Sequence, residues 1–458
     1  MTTGEEIGTP AMTVGSAPGR LPLLGHLVPL ARQPLEFLRS LPAHGDLVSI
    51  GFGPRTAYVV CHPALADTVL RNSRVFDKGG PFWEQARLAA GDGVGTCTHA
   101  PHRRQRRLVQ PAFHPQKMPD YAAVMAEEAA AAIRPWRDEQ MLDVLAVLDA
   151  VTARVTARCL FAADLAPEET AATGRCLAAV LEGMFWGMLT PPGLKWFPTP
   201  SSRRFRNAVR QLDQLVFRLI ATQRRGEADH GGMLAVLITS RDENGDALDD
   251  REIRDQLLNF IIAGTETSAA MVAWALYLLT GHPHVQQRLH TEVDTVLAGR
   301  TATYDDLPHL PYTHRVLTET LRLFPPAWMV TRTVTEHTQL AGHPLPAGTT
   351  LLYSPYLIHH RADLYCDPER FDPDRWDPEQ SATLPRGAFT PFGAGARKCM
   401  GDTFGMQEAT LTLATITAHW RLDLPPASTT RPQARATLRP HPLHMRLHQR
   451  HPDNEGTP

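Results

Sequence analysis

Apolar residues return every three or four positions over most of the chain, the period of helices with one buried face. That spacing predicts helices at 63–71, 102–110, 120–136, 144–161, 173–189, 202–225 and 231–240. A much longer apolar run, 257–279, follows Asp249 and Asp250, which are placed to cap it, and stops at Gly281 and Pro283. Further helices are predicted at 285–297, 312–323 and 404–418, the second of them stopped by Pro325 and Pro326. Strand-like alternation is confined to 47–50 and 56–60, which read as a hairpin, and to a β-rich stretch at 329–352. Residues 18–25 and 366–391 are punctuated by proline and glycine and read as irregular. The class that follows is mainly α with a small β-rich part. No linker, repeat or low-complexity run divides the chain, so a single domain over 1–458 is expected, with 1–19 as a loose tail.

Composition narrows the function classes. The 458 residues carry 46 basic and 48 acidic side chains, which gives no general electrostatic case for nucleic acid or an anionic membrane. Cys61, Cys97, Cys159, Cys176, Cys366 and Cys399 are scattered without C-x-x-C pairs. That pattern points away from a disulfide framework or a zinc site and toward a reducing compartment, so a cytoplasmic location is expected. The N-terminus lacks the basic and apolar regions of a signal peptide. The run at 257–279 is long enough for a membrane span, but Gly264-Thr265-Glu266-Thr267-Ser268 in its middle makes a buried core helix the expected reading. Between the helices at 173–189 and 202–225, a proline-rich loop bearing Trp196 and Phe197 suits a lid over a pocket as well as an ordinary connection.

The chemistry gathers in a few places. Pro391 to Gly401 offers one thiol, Cys399, in a loop of glycine and small residues, seven positions after Phe392 and beside Arg397 and Lys398. A helix begins just beyond, so three influences are expected to favour thiolate. Within the long helix, Glu266 and Thr267 put an acid beside a hydroxyl where neither is expected. A threonine that bonds back one turn opens the ladder and leaves room for a small ligand, although for these five residues alone a kink with internally satisfied groups is the favoured reading. Glu319 and Arg322 are neighbours on a helix face, and His102 and Arg106 share another.

Phe392-x-x-Gly395-x-Arg397-x-Cys399-x-Gly401 resembles the haem-binding signature of the cytochrome P450 monooxygenases. Ala263-Gly264-x-Glu266-Thr267 is similar to that family's acid–alcohol motif, and Glu319-x-x-Arg322 with Pro368-Glu-Arg370-Phe371 to its buried Glu-Arg-Arg network. The resemblance implies the P450 fold and haem b, with Cys399 as iron ligand and His102, Arg106, Arg332 and Arg397 on the propionates. It gives Thr267 and Glu266 the task of assisting O2 activation and relaying protons. No Rossmann fingerprint, flavin segment or iron–sulfur cysteine set is present. Electrons from NAD(P)H are therefore expected through a ferredoxin and a ferredoxin reductase, docking near Arg397 and Lys398.

Residues 76–81, 102–113 and 198–205 resemble segments of actinobacterial sesquiterpene oxidases within that family. This implies oxygen insertion into an unactivated C–H bond of a small apolar substrate, a sesquiterpene hydrocarbon such as pentalenene, with further oxidation to alcohol and aldehyde. Pocket candidates are Phe82, Trp83, Trp186, Phe260, Ala263, Trp328 and Val330, each of which could instead be ordinary core. A fatty-acid or macrolide hydroxylase is the competing enzyme, and a non-catalytic haem gas sensor the competing class. A monomer is expected.

Overall fold

A computed structural model describes residues 12–53, 55–161, 167–190, 199–226, 232–426 and 428–450. The loop bearing Trp196 and Phe197 lies outside the described residues. The chain opens with β1 (Val14–Ser16), helices α1 (Leu27–Arg32) and α2 (Pro34–Ser40), and a hairpin of β2 (Leu47–Phe52) and β3 (Arg55–Val60). Residues 14–16 depart from the expected loose tail: they lie parallel to β2, with Val14 opposite Leu47, and use backbone groups that β2 would otherwise leave open.

Helices then take over: α3 (Pro63–Arg71), a short strand β4 (Phe76–Asp77), α4 (Pro81–Ala90), α5 (His99–Val109) and α6 (Met118–Ile133). Strand β5 (Met141–Asp143) leads to α7 (Val144–Phe161), α8 (Pro167–Leu189), α9 (Pro200–Arg224) and α10 (Met233–Thr239). The central α11 (Asp250–Thr280) is followed by α12 (Pro283–Leu297) and α13 (Pro311–Leu323). Next come β6 (Val330–Val334), β7 (Thr338–Leu340), β8 (His343–Leu345), β9 (Thr350–Tyr353), α14 (Pro355–His359) and α15 (Pro378–Ser381). The chain closes with α16 (Asp402–His419), β10 (Trp420–Asp423), β11 (Arg431–Ala434), β12 (Leu438–His441) and β13 (His444–Gln449).

Strands β1-β2-β3-β9-β6-β4 form one six-stranded sheet in that order, and β10-β13-β5 a three-stranded one. Val59, Val60, Leu351 and Leu352 from its middle strands pack with Leu38 of α2 and Leu65, Ala66 and Val69 of α3. Two helical cores lie on either side of α11. Its first half packs with α6, α7 and α9, and its second half with α12, α13 and α16. The predicted cap is present as a reciprocal pair: Glu252 N–H donates to Asp249 at 2.7 Å, and Asp249 N–H donates to Glu252 at 3.0 Å. Although α11 is apolar enough to pass for a membrane span, 67% of its apolar window is buried inside the protein.

Candidate active site

The Cys loop is shaped by two glycines. Gly393 and Gly395 take φ of +69° and +67°, the left-handed region that side chains with a Cβ resist. At Gly395 a Cβ would also lie 2.8 Å from Cα of Arg71, so glycine lets the loop tuck against α3. The N–H of Cys399 then donates to the Phe392 carbonyl at 2.9 Å, and α16 begins three residues later.

Cys399 sits deep in the protein yet keeps accessible surface. Burial pushes its thiol pKa up, and this outweighs the hydrogen bond from Gly401 and the attraction of Lys78 and Arg106. The sequence expectation of a favoured thiolate is corrected here. Arg397 turns away to Asp77 at 2.9 Å, and Lys398 is paired with Asp402 at 2.5 Å. A metal cation bound to a thiol supplies the missing stabilisation by deprotonating it outright.

Helix α11 runs past this loop. Phe260 meets Phe113 edge-on at 5.3 Å, and Phe113 lies 3.7 Å from where a Cβ on Gly401 would sit. Two turns on, Ser268 Oγ lies 3.6 Å from the corresponding position at Gly405 of α16. Between these contacts Ala263 is exposed, although residues 257–259 and 268–276 of the same helix are buried. Exposed surface halfway along a core helix, and on a thiol beside it, marks the walls of an internal cleft.

Positive charge collects at one edge of that cleft. Lys78 just after β4, His102 of α5, Arg332 of β6 and Arg397 of the Cys loop are brought together, and Asp77 is the carboxylate that meets them. Burial and the neighbouring Arg332 and Arg397 hold Lys78 well below the ordinary lysine range. Burial, with Arg397, Lys78 and Arg106 nearby, brings His102 down to about 3, which leaves it neutral, and burial with Arg397 brings Arg332 down to about 10. The Nε of Arg397 is buried without a hydrogen-bond partner. Buried cations in such excess call for an anion. Lys78, which the sequence reading passed over, also lies 4.4 Å from the centre of the Trp83 ring. Arg106 is placed differently from the expected propionate role: it donates to the carbonyls of Lys398 at 2.7 Å and Ala396 at 3.2 Å, gripping the Cys loop itself.

On the other wall, Thr267 Oγ1 donates to the Ala263 carbonyl one turn back at 2.7 Å, and Thr265 does the same to Ile261 at 2.8 Å. The Thr265 carbonyl accepts from Thr152 of α7 at 2.6 Å. Glu266 points away from this groove. Its carboxylate accepts from Thr437 at 2.7 Å and Arg439 at 3.0 Å, and Arg439 is shared with Asp149 at 2.5 Å. Burial raises the Glu266 pKa, and Arg439 and Thr437 oppose the rise.

The cytochrome P450 profile matches residues 16–446. The chain belongs to the cytochrome P450 family. It is 46% identical to cyclooctatin synthase of Streptomyces melanosporofaciens, covering 97% of this chain and 98% of that one. Cyclooctat-9-en-7-ol 5-monooxygenase of the same organism is 45% identical over 91% of each chain. Pentalenene oxygenase of Streptomyces avermitilis is 44% identical, over 94% of this chain and 96% of the other. Among solved structures, the cytochrome P450DA heme domain superposes with a TM-score of 0.87 at 26% identity, covering 96% of this chain and 99% of that one. The protein is therefore a P450 monooxygenase, which uses haem iron, O2, an apolar substrate and electrons from a redox partner.

Haem fits what the residues offer: an accessible thiol in a glycine-shaped loop, an open groove across from it, and buried cations suited to two propionates. The P450 core network is present with one change of member. Arg322 donates twice to Glu319, at 2.8 Å each, and both side chains are fully buried. Arg370, expected as the third member, is 62% exposed and offers only its carbonyl to Arg322. Arg375 takes that place, 3.3 Å from Glu319, and Trp376 Nε1 donates to the same carboxylate at 2.9 Å. The relevant sequence is Pro373-Asp-Arg375-Trp376, five residues beyond the string that first suggests itself.

Several pocket candidates are committed elsewhere. Trp328 is 3% exposed, packs in the sheet core and donates to the Arg435 carbonyl at 2.8 Å. Trp83 donates to the Thr331 carbonyl at 2.8 Å and covers Lys78, so its ring is taken up at the charged edge. Phe260 faces Phe113 beside the Cys loop. Trp186 is 47% exposed, Phe82 and Val330 are partly buried, and Ala263 opens into the cleft. Arg397 is 1% exposed, so it is corrected from the expected docking face.

Proposed function

We propose that this P450 inserts one oxygen atom into an unactivated C–H bond of a cyclic terpenoid. A sesquiterpene hydrocarbon such as pentalenene is the first substrate to test, with successive oxidation to alcohol and aldehyde. The observation that carries the reading is the set of three terpenoid oxidases at 44–46% identity, matched over 91–97% of this chain. A match of that extent includes the walls of the cleft as well as the motifs common to the whole family.

Haem held by Cys399 supplies oxygen activation, which thiolate donation promotes. The chain's own residues do the rest. His102 offers a neutral ring, and Lys78, Arg332 and Arg397 offer charge, to the propionates. Ala263, with its single methyl group, leaves room beside Gly264. Thr267 carries a hydroxyl at the same groove, where it can hold a proton, with Glu266 behind it as the acid. Electrons pass from NAD(P)H through a reductase and a ferredoxin that docks on the Cys-loop face. Lys398 and Arg71, with side chains 52% and 55% exposed, are its basic contacts. The enzyme acts as a cytoplasmic monomer.

The test is a titration of the ferric spin state with pentalenene, cyclooctat-9-en-7-ol, a fatty acid and a macrolide. Turnover with ferredoxin, reductase and NADPH follows. A terpenoid is expected to shift the spin state and to yield an oxygenated product. A shift and product only with the fatty acid or the macrolide overturns the substrate reading, and product from NADPH without the two proteins overturns the donor reading. Tight ligand binding with no product from any compound would favour a gas sensor.

A further inference from the structure

One amide beside the cleft has nothing to bond to. Gln85 of α4 is 8% exposed and makes no hydrogen bond among the described residues. The amides nearest it in the fold are all engaged. Gln256 accepts from the Val94 N–H at 2.8 Å, Asn259 donates to the Ala90 carbonyl at 3.0 Å, and Gln105 donates to the Asp92 carbonyl at 2.7 Å. A buried amide left unpaired is costly, and in a native structure it points to a partner that arrives from outside the chain.

A glycine makes the seat for this amide. A Cβ on Gly187 of α8 would lie 2.4 Å from Gln85 Oε1 and 2.6 Å from its Cδ, so any larger residue there would push the amide off the helix. Helix α4 is itself fixed in place: Trp83 donates to the Thr331 carbonyl of β6, and Arg87 donates to the carbonyls of Lys78 and Thr96 at 2.9 Å each. Glu84 and Leu88 form its exposed outer face, which turns Phe82, Gln85 and Ala89 inward. Phe82, Ala86 and Ala89, with Met184 of α8, make the surroundings of the amide apolar. Trp83 stands at the charged edge beside Lys78 and Arg332, so the inward face of α4 covers the cleft next to that edge. A single polar group in an apolar wall is the arrangement that orients a ligand.

We propose that Gln85, seated on Gly187, is a specificity-determining residue whose amide donates a hydrogen bond to a hydroxyl or carbonyl oxygen of the substrate. The preferred substrate is then a terpenoid that already carries one oxygen function, and the bare hydrocarbon is the weaker ligand. Such a molecule arises by an earlier oxygenation, this enzyme's own first turnover included, or by a cyclisation that ends in capture of water. A hydrocarbon oxidised once is held by the same bond for its second round. The inference rests on the terpenoid reading and adds to it how the substrate's oxygen is recognised.

Ferric spin-state titrations of the haem-bound protein test it with two matched pairs: pentalenene and its primary alcohol, and cyclooctat-9-en-7-ol and the hydrocarbon lacking that hydroxyl. The unsubstituted protein is expected to hold the alcohol of at least one pair about tenfold more tightly, the share of one net hydrogen bond. Gln85→Met removes the donor at similar volume and should abolish that preference. Gly187→Ala drives a Cβ into the amide and should abolish it with Gln85 still present. In turnover of pentalenene, both variants should release more alcohol relative to aldehyde. A merely structural role would change stability and leave the preference intact. That result, or equal affinity within both pairs in the unsubstituted protein, overturns the inference while terpenoid binding stands. If neither pair binds, the terpenoid reading falls and this one with it. If Gln85→Met fails to take up haem, Gly187→Ala decides the matter by the same preference.

Discussion

Arg370 and Arg375 offer a direct contest between a literal motif and a packed structure. Arg375, with a side chain 14% exposed, lies 3.3 Å from Glu319 and donates to the Asp367 carbonyl at 2.8 Å. Arg375→Ala removes both interactions from a buried carboxylate that keeps Arg322, Trp376 and the Asp372 N–H. Hydrogen bonds and ion pairs to a buried charge are worth about 1.5–3 kcal/mol, so a loss of about 2–3 kcal/mol is expected. Arg370→Ala removes a side chain that is 62% exposed and sits 4.0 Å from Asp372, and should stay within about 0.5 kcal/mol. Glu319→Ala, which strands Arg322 in the core, sets the upper end at about 3–5 kcal/mol. Urea unfolding of the haem-bound proteins at one pH, followed by the Soret band, orders the three variants. If Arg370→Ala proved as costly as Arg375→Ala, the assignment of Arg375 to the network would be wrong.

Three further outcomes are expected. An anion placed against Lys78 raises its depressed pKa, so haem binding takes up a proton. Haem affinity should then fall as the pH climbs from that depressed value toward about 10.4. Haem transfer to apomyoglobin across that range checks this slope, and Lys78→Met should flatten it. Gly395→Ala forces a Cβ to 2.8 Å from the Arg71 backbone at φ +67°, costing about 1–3 kcal/mol in the strained residue alone. The share of reduced, CO-treated protein showing the thiolate Soret band should drop, whereas Gly299→Ala, in open space, reports the φ penalty without a clash. Arg439→Met leaves Glu266 buried without its cation, which lifts a carboxyl pKa that burial already raises. An acid whose folded pKa lies above its unfolded value destabilises the fold as the pH rises between the two. The variant should therefore lose stability relative to the parent as the pH climbs past the parent's raised Glu266 pKa, measured by urea midpoints at several pH values.

How much of this could be read from the sequence follows from how far apart the partners stand along it. The Cys loop, the capped α11, and Glu319 with Arg322 are local patterns, and each keeps its meaning without knowledge of the rest. Arg439 and Thr437 reach Glu266 across more than 170 residues, and no spacing announces them. Lys78 sits in an unremarkable Asp-Lys-Gly-Gly string, and its burial arises only once β4, β6 and the Cys loop meet. Helix α4 escaped notice because its buried face is made largely of Ala86, Ala89 and Ala90, which carry a weak hydrophobic signal. Arg370 misled for the opposite reason: Pro-Glu-Arg-Phe matches the expected string more closely than Pro-Asp-Arg-Trp, and burial alone separates them.

Helix α5 has a mechanical role beyond its charge. From two faces of one turn it sends Arg104 to Glu252 in the first turn of α11, at 2.7 Å, and Arg106 to the backbone around Cys399. One short rod thus braces both walls of the cleft, so a push on either is transmitted to the other. Helix α9 also grips the α11 wall, with Asp213 lying 2.5 Å from Arg254. A change confined to α8 can therefore alter which molecules enter with less effect on the spacing between thiol and groove. Relatives named for different substrates can share one reaction geometry on that basis.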